Sequence, residues 1–70
     1  MSMDMRKLVG DNVRRIRLHQ RITQEELSER CGLSQQYISG LENGRRNPTI
    51  VTIFELAQAL GVSHLDLVQH

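Results

Sequence analysis

At 70 residues the chain has room for one modest core and one domain, and with one tyrosine, one phenylalanine and no tryptophan that core must be aliphatic. A hydrophobic content of 39% argues against disorder, and the lone Cys31 excludes a disulfide framework. With neither a secretory leader nor a membrane-length apolar run recognisable, a cytoplasmic protein is expected.

The net charge is only +1, so its distribution has to be read instead of its total. Residues 1–24 carry Arg6, Lys7, Arg14, Arg15, Arg17 and Arg21 against Asp4 and Asp11. Residues 25–42 carry Glu25, Glu26, Glu29 and Glu42 against Arg30, and Arg45 and Arg46 then restore positive charge. Ordinary solvated helix faces fit this pattern as well as a nucleic-acid surface does.

Met5, Leu8, Val9, Val13 and Ile16 fall in one arc at about 100° per residue, which predicts an amphipathic first helix with its basic residues outside the arc. Gly10 lies off this arc and reads as a local weakness, costing up to about 1 kcal/mol relative to alanine. Thr23-Gln24-Glu25-Glu26 fits a capping box and opens a second helix at about residues 24–31, with Leu27 and Cys31 on its inner side. Gly32 follows as a left-handed stop, and Ser34 then caps a third helix at about residues 35–43, closed by Gly44. Pro48 cannot continue that helix. Thr49 caps a fourth, in which Ile53, Leu56, Ala57 and Leu60 recur at helical spacing up to Gly61, and residues 63–70 add one or two further turns. No alternating strand pattern, repeat or low-complexity stretch interrupts this all-α reading.

Two helices joined by a tight glycine turn form the unit that inserts its second helix into the DNA major groove, although many helical proteins share that topology. The third helix is more telling. Gln35, Ser39, Asn43, Gln36 and Gly40 follow one another across an arc of about 140°, all uncharged and either small or amide-bearing, while Tyr37, Leu41 and Ile38 occupy the other side. Glutamine can pair with adenine N6 and N7, and Gly40 leaves room for a duplex to approach. Glutamine is also a fair helix former on any soluble surface. Position favours the groove reading, because both glutamines sit in the first turn after the cap, the part of such a helix that points at base edges.

Thr23-Gln24-Glu25-Glu26-Leu27, Gly32-Leu33-Ser34-Gln35-Gln36-Tyr37-Ile38-Ser39 and Leu41-Glu42-Asn43-Gly44 resemble the XRE, or Cro and phage-repressor-like, helix-turn-helix family. The basic first helix ending at Arg17 and the run Leu56-Ala57-Gln58-Ala59-Leu60-Gly61-Val62 extend the resemblance over nearly the whole chain. It implies a five-helix bundle of the lambda-repressor-like kind. It also implies a prokaryotic or phage transcriptional regulator bound as a homodimer to a palindromic operator in double-stranded DNA. Carried over by residue, Gln24 grips a phosphate and braces Gln35, Gln35 and Gln36 read bases, and Thr23 is a second phosphate contact. Ser39 is a groove contact, and the Tyr37 ring packs while its hydroxyl reaches for a phosphate. Asn43, Arg45 and Arg46 hold the DNA backbone, which the basic charge at those two arginines supports independently. Arg17 and Glu42 match a pair that ties the first helix to the end of the third. As sequence alone they fit a buried bridge or an exposed pair.

Leu65 falls where related sequences place a polar residue. Leu65, Val68 and Phe54 therefore read either as an apolar patch for a second copy or as core residues closing the bundle. No nucleophile with its base, glycine-rich phosphate loop or paired carboxylates suggests an enzyme or a cofactor. His19, His64 and His70 are too widely spaced for a metal site, and Cys31 reads as a core thiol. The rival is a protein-interaction module, an antitoxin-like or adaptor domain whose partner is a protein such as a toxin. A pure adaptor has no need of an amide-lined helix.

Overall fold

A computed structural model describes residues 4–70. It contains five helices in chain order: α1 (Met5–His19), α2 (Gln24–Cys31), α3 (Gln35–Glu42), α4 (Ile50–Leu60) and α5 (Leu65–Val68). Among the described residues there is no strand, and no helix is long and apolar enough to cross a membrane.

The helix starts follow from local chemistry. Thr23, Ser34 and Thr49 each take extended backbone, and each hydroxyl accepts the N–H three residues on, from Glu26, Tyr37 and Thr52. At α2 the box is complete, because Glu26 Oε1 accepts the Thr23 N–H at 2.9 Å. The stops are less uniform. Gly32 ends α2 at φ 78°, a left-handed conformation open to glycine at little cost, and the Ser28 hydroxyl donates to the Leu33 carbonyl to fasten the turn into α3. α1 closes without a glycine: Arg21 adopts φ 60° while the N–H groups of Arg21 and Ile22 return to the carbonyls of Leu18 and Arg17. α3 ends at Glu42, one residue short of the expected bound, with Asn43 as its cap and the Asn43 amide donating to the Ser39 carbonyl at 2.9 Å.

The core draws on every helix: Val9, Val13 and Ile16 from α1, Leu27 from α2, Ile38 and Leu41 from α3, Leu56, Ala57 and Leu60 from α4, and Leu67 from α5, with Ile22 from the α1–α2 turn. Full burial of aliphatic side chains of this size contributes about 1.5 to 3 kcal/mol each. Two expectations for α1 need correction. Met5 is 49% exposed, since it lies in the first turn at the open end of the bundle. Gly10 is buried and is a packing requirement more than a weakness, because a Cβ there would stand 2.1 Å from the Leu41 carbonyl oxygen. The missing side chain lets α1 lie directly against the backbone of α3. Cys31 is only partly buried, packed against the edge of the core.

Candidate nucleic-acid interface

α3 is divided lengthwise. Ile38, Leu41 and Glu42 are buried, whereas Gln35, Gln36 and Asn43 are exposed, and Ser39 and Gly40 are intermediate. Anchoring one side in the core fixes which side faces out, and the outward side carries the amides. Beyond α3, the loop brings Arg45 and Arg46 back alongside it, helped by the Arg45 N–H donating to the Gly40 carbonyl at 2.9 Å. Gln36, Ser39, Gly40, Asn43, Arg45 and Arg46 thereby line one shallow recess.

Arg46 occupies the space beside Gly40 that the sequence suggests is open: a Cβ on Gly40 would meet Arg46 Nε at 3.1 Å and Cγ at 3.3 Å. Its guanidinium carbon lies 5.5 Å from the centroid of the Tyr37 ring, within reach of the ring's negative face. A flexible loop cation is thus steadied beside the amide row. Tyr37 itself is half-buried against the core.

Behind this face stands a buried ion pair. Arg17 Nε donates to Glu42 Oε2 at 2.7 Å and Nη2 to Oε1 at 3.0 Å, while Nη1 donates to the Ile22 carbonyl at 2.8 Å. Hydrogen bonding to the Glu42 carboxylate raises the Arg17 pKa above its already high value, outweighing the opposite effect of burial. Gln24 joins the same group. Its Nε2 donates to Glu42 Oε1 at 3.1 Å, so its amide rests on Glu42 where a brace on Gln35 is expected. An ionised carboxylate is the stronger acceptor for that amide. Thr23, exposed at the start of α2, spends an acceptor lone pair on the Glu26 N–H, and its own O–H is a separate donor.

α4 and α5 carry exposed apolar surface. Phe54 and Leu65 are 50% and 59% exposed, and Val68 is half-buried against the core. Ile50 and Val51, at 71% and 63% exposed, extend the apolar exposure to the start of α4 and were not expected there. Their signal lay in the apolar residues of α4, which outnumber what one buried stripe needs and leave only Thr52, Glu55 and Gln58 polar. The His64 ring stacks on Phe54 with centroids 4.4 Å apart. Asn12 is a further residue not expected to matter, buried among apolar neighbours. It falls inside the apolar arc of α1, and a polar side chain within such an arc signals a buried hydrogen-bonding partner.

The sequence pattern of the family described as Helix-turn-helix matches residues 13–67, which span this interface and the helices that carry it. The chain belongs to that helix-turn-helix family. Among helix-turn-helix relatives, it is 65% identical over 66 residues to the HTH-type transcriptional regulator y4dJ of Sinorhizobium fredii, covering 94% of this chain and 86% of the relative. It is 41% identical over 68 residues to the control protein C.BamHI of Bacillus amyloliquefaciens, covering 96% of this chain and 84% of that protein. Its fold is similar to that of the restriction-modification controller protein C.Esp1396I, solved as a tetramer in complex with its natural 35 base-pair operator. That likeness has a TM-score of 0.85 and 32% identity, over 94% of this chain and 87% of that one.

Proposed function

We propose that this helix-turn-helix chain is a prokaryotic or phage transcriptional regulator, acting in the cytoplasm, that binds double-stranded DNA in a sequence-specific manner with α3 in the major groove. The observation that carries the reading is the outward placement of Gln35 and Gln36 in the first turn of a helix whose opposite side is locked into the core. Gln35 and Gln36 read base edges and Ser39 touches the groove. Thr23, Gln24, Tyr37, Asn43, Arg45 and Arg46 hold phosphates, with Gly40 seating Arg46. The operator-bound tetramer of C.Esp1396I and the control-protein role of C.BamHI support the same reading.

The regulator works as a dimer. The exposed apolar residues Ile50, Val51, Phe54 and Leu65, with Val68 beside them, form the face on which a second copy sits. Two copies related by a two-fold axis match a palindrome with half-sites about 34 Å apart, one helical turn. Selecting bound duplexes from a random library at moderate salt tests the whole proposal. A palindrome with adenine in each half-site is expected. Failure to enrich any sequence, with binding that does not weaken as salt rises, would overturn it.

A further inference from the structure

α5 is four residues long and has no side-chain cap at His64. A single turn closes too few hydrogen bonds to offset its nucleation cost, so something outside must hold it. Two contacts do so. Leu67 is fully buried, and Asn12 of α1, itself only 7% exposed, donates from Nδ2 to the carbonyls of Leu67 at 3.0 Å and Gln69 at 2.8 Å. These are carbonyls that the end of a helix leaves without partners. Arg15 Nη2 donates to Asn12 Oδ1 at 3.3 Å and orients the amide.

The same helix is fixed to α3, by the backbone approach at Gly10 and by the bridge from Arg17 to Glu42. α1 is thus a rigid bar with the reading helix fastened along it and the α5 turn clamped to it through Asn12. Leu65 and Val68, on that turn, belong to the face assigned to the second copy. We propose that Asn12 is a positioning residue that fixes the separation of the two reading helices in the dimer, and so the half-site spacing the regulator accepts. This rests on the dimer reading given above. Without the clamp the C-terminal end of the α5 turn is held by the packing of Leu67 and Val68 without a directional bond, the two subunits meet at a range of angles, and the distance between their α3 helices is no longer single-valued.

The test compares the wild type with Asn12→Ala on palindromes of varied spacer length, alongside sedimentation of each protein and binding to a single half-site. The wild type is expected to favour one spacing by at least about tenfold, and Asn12→Ala to dimerise about tenfold more weakly and favour no spacing by more than about threefold. Affinity for a single half-site stays the same. A residue that served stability alone would lower the melting temperature and leave the spacing preference intact. An unchanged preference in a folded Asn12→Ala overturns the inference and leaves the dimer standing. A wild type that is monomeric alone and on DNA overturns the dimer reading and this inference with it. Should Asn12→Ala fail to fold, Asn12→Leu fills the same space and removes both donors of the clamp. A broadened spacing preference there supports the inference, and an unaltered one overturns it.

Discussion

Glu42, the last residue of α3, and Arg17, two turns beyond Gly10 on α1, face each other at 2.7 Å with side chains only 3% and 9% exposed. A guanidinium so placed cannot find water when its partner is removed. Glu42→Ala is therefore expected to cost about 3 to 5 kcal/mol in chemical denaturation, because it strands the Arg17 charge. A loss under about 1 kcal/mol would mean that solvent reaches the pair.

Gly10→Ala opposes two effects of known size. Alanine raises helix propensity by up to about 1 kcal/mol, but its Cβ would lie 2.1 Å from a backbone oxygen of α3, which cannot rotate away. Forcing the helices apart typically costs about 1 to 3 kcal/mol, so a net loss is expected. Thermal melts decide the sign, and a higher melting temperature would refute the tight contact.

Gln36 and Arg46 line one recess, yet their substitutions are expected to differ in kind. Gln36→Ala should relax discrimination at one base pair by about 1 to 3 kcal/mol. Arg46→Ala should weaken binding to all sequences alike and reduce the salt slope by about one. Profiles of both variants across a site library at two salt concentrations check this, and indistinguishable profiles would rule out the division.

The capping box gives a pH dependence of defined sign. The Thr23 N–H and then its hydroxyl, with Arg30 contributing, hold the Glu26 carboxyl below the ordinary glutamate value. Between the two values the unfolded chain binds more protons, so stability rises with pH there. The contribution is complete above the ordinary value of about 4.3 and disappears as pH falls through the depressed folded value. The melting-temperature gap between wild type and Glu26→Gln should therefore stay constant down to about pH 5 and narrow below it. A gap that ignores pH would remove Glu26 from the titration.

Thr23, Ser34, Thr49, Gly32 and Gly61 were legible in the sequence because a cap is written within three or four residues of the place it acts. The division of α3 into an inner and an outer side was legible for the same reason, since helical periodicity is local. What escaped reading depends on partners far along the chain. Gly10 looks like a weakness until Leu41 is seen against it, and Asn12 looks misplaced until Leu67 and Gln69 arrive 55 and 57 residues later. The seat of Arg46 on Gly40 and the hold of Glu42 on Gln24 likewise come from packing between elements, which no single-helix periodicity encodes.

The turn between α2 and α3, set by the left-handed Gly32 and the Ser28 hydroxyl on Leu33, meets a duplex with its shape already decided. Ordering of that segment belongs to the folding of the monomer and adds nothing at the moment of association. Calorimetry of operator binding should accordingly return a heat-capacity change proportionate to the apolar area covered, without the larger deficit that marks a disordered segment coiling up on its target.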